Sequence, residues 1–187
     1  MKKLGTILAT FFLSSTVHAT EYLGLDLGVQ SLSNTEKTIK DSGGGYNDNY
    51  GYKGYTNLPM LKVVSFDKFA KYGTVKEAWL SFTPEKKLYK IAVTWSDSGS
   101  AFKVFKDALD TKYGNAKHSG SGFNQSYQYH DGKVDIVLNR NTFGFGSDQS
   151  TSLYYTYTPA LSDVEKMKGL IDDHIRKENA KKASADL

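Results

Sequence analysis

Apolar and polar residues alternate with a period of two along much of the chain, and the places where that period changes mark its helices. From Glu21 to Gly28, Leu23, Leu25 and Leu27 alternate with Tyr22, Gly24, Asp26 and Gly28, which predicts a strand with one apolar face. Ser33-Asn34-Thr35-Glu36 has the spacing of a capping box, so a short helix is predicted to about Asp41, stopped by Gly43. Leu61 to Phe69 is rich in strand formers. Val75–Phe82 and Leu88–Trp95, separated by Thr83-Pro84-Glu85-Lys86-Lys87, predict a hairpin whose turn is fixed by Pro84.

The period then shifts to that of a helix. Phe102, Phe105, Ala108, Leu109 and Tyr113 recur at helical spacing, and Gly114 stands where such a helix stops. Trp79, Leu80, Val93, Trp95, Phe102, Phe105 and Leu109 are the expected core, where this helix meets the hairpin. A second hairpin follows, Phe123–His130 and Lys133–Asn139, joined at Asp131-Gly132. Thr142–Ser150 reads as a loop and Ser152–Thr158 as a Tyr-rich strand ended by Pro159. Ser162-Asp163-Val164-Glu165 opens a last helix with Val164, Met167, Leu170, Ile171, His174 and Ile175 as its apolar stripe. The predicted order is β-α-β-β-β-β-α-β-β-β-α. It implies an α+β fold: an antiparallel sheet of about six to eight strands with two main helices packed on one face. Residues 20–180 form one domain, and 181–187 read as a disordered tail.

The first nineteen residues follow another logic. Lys2 and Lys3 precede an uncharged apolar stretch from Leu4 to Val17, and Val17-His18-Ala19 is a small-x-small end. That layout is a cleavable secretory signal cut after Ala19, and the stretch falls short of the about 20 apolar residues needed to span a bilayer. No cysteine follows it to carry lipid. The protein is therefore expected in the periplasm or secreted, without a stable membrane anchor. Loss of Lys2 and Lys3 lowers the formal charge from +4 to +2, which gives no basis for a nucleic-acid partner. The absence of Cys removes disulfides, thiolate nucleophiles and Cys-type zinc sites together.

Few motifs point to catalysis. Asp-Ser-Gly occurs at Asp41 and at Asp97, but an aspartic protease needs both triplets in matching loops, and Asp97 stands where a helix cap is needed. His118, His130 and His174 show no metal-binding spacing, and no cofactor is expected. An envelope hydrolase using His130 with Asp131 or Asp135, and with Ser119 or Ser121 in a Gly-rich loop upstream, is one alternative. A structural envelope protein that self-associates is another. The leading expectation is a binding module rather than an enzyme, acting on a protein partner or a cell-wall glycan. Its recognition residues are expected in the segment Gly43–Asn57, with Tyr46, Asp48, Tyr50, Tyr52 and Tyr55, because Tyr among Gly and Asn gives large contact area at small entropic cost. Asn141, Phe143 and Phe145 form a second candidate loop.

The export reading predicts that protein recovered from outside the cytoplasm begins at Thr20 and carries no acyl group. Intact-mass measurement checks this, and a retained Met1 or an added lipid mass overturns it.

Overall fold

The computed structural model describes residues 20–49, 58–97 and 99–185. Its frame is one antiparallel sheet of eight strands in the order β3-β4-β5-β6-β10-β9-β8-β7. The strands are β3 (Gly45–Asn47), β4 (Met60–Ser65), β5 (Val75–Phe82), β6 (Leu88–Ser96), β7 (Lys117–Ser121), β8 (Asn124–Asp131), β9 (Val134–Asn141) and β10 (Ser150–Tyr157). A small hairpin, β1 (Glu21–Tyr22) and β2 (Leu25–Asp26), precedes them, and the described residues also form four α-helices: α1 (Leu32–Asp41), α2 (Asp67–Ala70), α3 (Ser100–Tyr113) and α4 (Leu161–Ala185). The fold class is the expected one.

The order contains an internal symmetry. α1 is followed by β3, β4, β5 and β6, and α3 is followed by β7, β8, β9 and β10. Each helix thus precedes a four-strand meander, and the two meanders meet at β6 and β10, so the sheet reads the same from either edge. The main core lies where α1 and α3 cover one face. Ile39 of α1 and Ala101, Phe105 and Leu109 of α3 are buried against Leu61, Leu80, Ile91, Val93, Trp95, Ile136, Leu138 and Leu153. The Trp95 and Phe105 rings lie 4.8 Å apart, and the Trp95 indole N–H donates to Phe69 O at 2.9 Å, so the one polar atom of the largest core side chain is satisfied.

Several local expectations change. Glu21–Gly28 is not one strand but the β1–β2 hairpin, because Leu23 and Gly24 both take positive φ (51° and 86°) and turn the chain after two residues. The α1 cap is Ser31 rather than Ser33: its hydroxyl accepts from Asn34 N at 3.2 Å. Leu61–Phe69 splits, since β4 ends at Ser65 and Asp67 opens α2. Trp79 does not join Trp95, because it alternates with the buried Ala78 and Leu80; its ring is half-buried on the other face with Lys62 Nζ 5.4 Å from the ring centre. Lys117–Ser121 is an edge strand, not a loop, with every residue exposed. Residues 181–185 continue α4 rather than forming a tail.

The helices also divide between the faces. Phe82 pairs with Leu88 while Ser81 pairs with Lys90, so Tyr89 is the extra residue of a bulge. Tyr89 forms a separate small core with Leu58, Val164 and Ile171, and Met60 and Ser81, which face away from the main core, line the cleft beside Ile171 and Ile175. α4 therefore packs on the face opposite α1 and α3, and only at one corner. Leu170, expected on its buried stripe, is exposed.

Phe105 is 5% exposed, so Phe105→Ala should destabilise the protein by ~3–5 kcal/mol. Urea denaturation measures this. A loss below about 1 kcal/mol, the range of surface substitutions, would contradict the packing of α3.

Candidate functional site

Because α4 covers only a corner, much of that sheet face is open, and beyond a row of Trp79, Ala92, Tyr154 and Val137 its residues are polar. Side chains alternate across a sheet, so register assigns the open face. Ser119, Ser126, Asn139, Ser152 and Thr94 succeed one another across five strands, and Ser121, Asn124, Asn141, Ser150 and Ser96 form the next row. Thr94 Oγ1 and Ser152 Oγ share a hydrogen bond of 2.9 Å. Between these rows lies a groove of about 390 Å³ lined by Ser119, Asn124, Ser126, Asn139, Asn141 and Ser152. Asn139 Oδ1 is buried there with no hydrogen-bond partner among the described residues. A buried acceptor without a donor costs about 1–3 kcal/mol, which a ligand donor or a water removes.

At the end of the groove the sequence places aromatic residues where no core exists to take them. Phe123, Phe143 and Phe145 are 60%, 67% and 91% exposed, and the Phe123 and Phe143 rings meet edge to face at 5.7 Å. Their loop is tied down by polar contacts. Asn141 Oδ1 accepts from Phe143 N at 2.8 Å, Thr142 N donates to Phe123 O at 2.8 Å, and Gln149 Nε2 donates to Gly144 O at 3.2 Å. The side chains are thus presented on an ordered backbone, which lowers the entropy lost on binding. Of the expected recognition residues, Asn141 and Phe143 come together with the groove and with Phe123, and Phe145 stands just beyond them. The sequence reading missed Phe123, Asn139 and the two polar rows. Alternation along β8 and β9 was the available signal, but each row is visible only once the register is known.

The other candidates fall elsewhere. Tyr46 lies on β3, at the opposite edge of the sheet; Lys40 Nζ stands 5.1 Å from its ring centre and its ring packs on the core margin. Asp48 lines a shallow cleft with Glu36 and Lys86. Tyr50, Tyr52 and Tyr55 lie outside the described residues. His130 Nδ1 is 2.7 Å from Asp135 Oδ1 across the β8–β9 pair, on an exposed part of the sheet. Asp131 does not join them; it accepts from Tyr22 Oη at 2.7 Å and from Tyr113 Oη at 3.0 Å. Ser119 and Ser121 pair with Ser126 and Asn124, four and six residues along β8 from His130, or roughly 13–20 Å at strand spacing. No serine nucleophile from β7 is therefore within reach of the imidazole. Among the described residues no group of three or more His, Asp or Glu side chains converges as a metal site.

The second Asp-Ser-Gly has a structural use. Asp97 is 6% exposed. Its Oδ1 accepts from Gly99 N (2.9 Å) and Ala101 N (3.1 Å), and its Oδ2 from Phe102 N (3.0 Å) and Thr151 Oγ1 (2.7 Å). The buried Arg140 guanidinium approaches Oδ2 at 3.5 Å and donates to Asp97 O at 2.6 Å. Three backbone amides at the start of α3 are satisfied by one carboxylate, as a helix cap requires. The other Asp-Ser-Gly aspartate, Asp41, is exposed and paired with Lys37, and no carboxylate dyad forms.

Burial pushes the Asp97 pKa up, but the Thr151 hydroxyl and the amides of Gly99, Phe102 and Ala101 outweigh it and hold the pKa at about 2. The folded value lies below the unfolded one, so the stability contributed by this group is complete above about pH 4. It is lost as pH falls toward 2, to an amount of about 2 kcal/mol. Asp97→Asn should cost ~3–5 kcal/mol at neutral pH, because Arg140 is left buried without its partner. It should also flatten the fall in stability between pH 4 and 2, and urea titrations across that range check both. An unchanged acid profile in the variant would contradict the assignment.

Compared with known proteins, the chain matches no family model, no curated protein and no solved structure, so its function has to be read from this geometry.

Proposed function

We propose that the protein is an exported binding module that recognises a protein partner in the periplasm or outside the cell, through the open sheet face and its phenylalanine rim. The observation that carries this is the exposed trio Phe123, Phe143 and Phe145 beside a polar groove. Contiguous apolar side chains at the surface of a soluble protein mark an interaction site more often than a solvated one. Aromatic anchors next to a polar, hydrogen-bonding rim are the anatomy of a protein interface. Asn139 Oδ1 and the Ser/Asn rows offer donors and acceptors to a partner backbone. The Tyr-Gly segment 43–57 begins at the far edge of the same sheet, which makes it a second contact rather than the centre.

A cell-wall glycan and a second copy of this chain are the competing occupants, and experiment separates the three. The mature protein and the double variant Phe143→Ser/Phe145→Ser are used to capture partners from envelope extract, and the captured protein is purified and titrated back. The expected result is a binary complex weakened at least ~10-fold, or 1.4 kcal/mol, by the double variant and unchanged by Lys37→Ala on the helix-covered side. Concentration-dependent dimerisation abolished by the same double variant would replace the partner with a second copy. Equal binding of both proteins to purified cell wall, with no complex formed, would overturn the proposal.

A further inference from the structure

A second cavity lies on the helix-covered side, away from the polar groove. It is bounded by the β1–β2 hairpin, α2 and α3, has a volume of about 270 Å³, and is lined also by Tyr155 of β10. Tyr22, Tyr72 and Tyr113 form its walls, with the Tyr22 and Tyr155 rings 4.7 Å apart, and Lys68, Lys71 and Lys112 stand around it. None of these lysines forms an ion pair among the described residues; Lys71 and Lys112 lie over the Tyr72 and Tyr113 rings, at 4.6 and 4.9 Å from the ring centres. The acids nearby are Glu21, which lines the cavity, and Asp131, which is bonded to the Tyr22 and Tyr113 hydroxyls. Three cations against two carboxylates leave a net positive site.

The hydroxyls differ in what they have left to give. Tyr22 and Tyr113 each donate to Asp131. Tyr155 has no such carboxylate partner, and its hydroxyl is not solvent-excluded, since Asn139 Oδ1 is the buried unpartnered side-chain atom among the described residues; the Tyr155 hydroxyl is open to water. A hydroxyl bonded only to water can exchange that water for a ligand acceptor. Burial, followed by the neighbouring Tyr113, Tyr72 and Tyr22, pushes the Tyr155 pKa up, so the group stays a neutral donor at physiological pH. The cavity therefore combines stacking surfaces, a positive rim and a hydroxyl donor that is bonded to no other side chain.

We propose that this cavity binds a small planar organic anion: an aromatic ring between the tyrosines, a carboxylate among Lys68, Lys71 and Lys112, and a polar ring substituent at the Tyr155 hydroxyl. A volume near the lower end of ligand pockets suits a single ring and excludes a larger ligand. This site is independent of the protein-binding face, and either can fail without the other.

Titration of the mature protein with p-hydroxybenzoate, benzoate and neutral p-hydroxybenzyl alcohol tests it, followed by calorimetry and by the NMR signal of the Trp95 indole, whose ring lies 6.1 Å from Tyr72. The wild type should bind p-hydroxybenzoate most tightly and the alcohol least. Tyr155→Phe should weaken p-hydroxybenzoate by about 10-fold, the cost of one lost hydrogen bond, while leaving benzoate unchanged. Lys71→Gln/Lys112→Gln should weaken both acids and spare the alcohol. Equal affinity of folded Tyr155→Phe for all three, or no saturable shift with any of them, would overturn the proposal.

Discussion

A buried carboxylate has to be satisfied on both oxygens or it will not stay ionised, and Asp97 meets that demand by drawing four elements together. It closes β6, accepts the first amides of α3, receives the Thr151 hydroxyl of β10 and faces Arg140 of β9. Taken as a pair, Asp97 and Arg140 are weak evidence for net stability, since desolvation offsets much of their attraction. Their effect is on arrangement. A placement of α3 that takes its first amides away from the carboxylate leaves a buried charge short of partners.

That joint sits where the two four-strand meanders meet. β6 and β10 are the central pair, and the cap of α3 fixes the second helix at that seam. With one helix in front of each meander, both helices take the same face, and the buried apolar residues of β4, β5, β6, β8, β9 and β10 follow them there. The other face then carries one row of larger side chains, Trp79, Ala92, Tyr154 and Val137, beside the corner where the Tyr89 bulge meets α4, and short polar side chains beyond it. An open polar face is thus a consequence of the doubled topology, and it is the reason a groove exists at all.

How much of this the sequence disclosed depends on whether the signal was local. Both hairpins, the α3 stripe and the strand after the last loop follow from periods of two and 3.6 within a dozen residues, and they were legible. The β1–β2 turn was not, because Leu23 at positive φ gives no sequence warning and its alternation resembles a continuous strand. β7 was missed because an edge strand of Lys, His, Ser and Gly has no buried face to impose alternation. Trp79 is not a core residue although the hairpin it belongs to is part of the core, because its alternation with Ala78 and Leu80 places it on the other side. The candidate site was half legible: Asn141, Phe143 and Phe145 could be named from one loop, but Phe123, Asn139 and the serines come from strands β6 to β10 and the β7–β8 turn. Only register, a tertiary property, puts them in rows.

β10 shows why the register matters to more than stability. Ser150 and Ser152 look into the polar face, while Thr151, Leu153 and Tyr155 look into the core side. The groove and the tyrosine cavity are therefore built from alternate residues of one strand. A slip of one residue would turn Tyr155 to the polar face, put Tyr154 or Thr156 in its place at the cavity, and take Ser150 and Ser152 out of the groove. The bond from Thr151 Oγ1 to Asp97 Oδ2 opposes such a slip, because a shifted strand would place Ser150 or Ser152 at the carboxylate with its neighbours on the wrong faces. The group that holds α3 on the sheet thus also sets the phase of the strand that serves both surfaces.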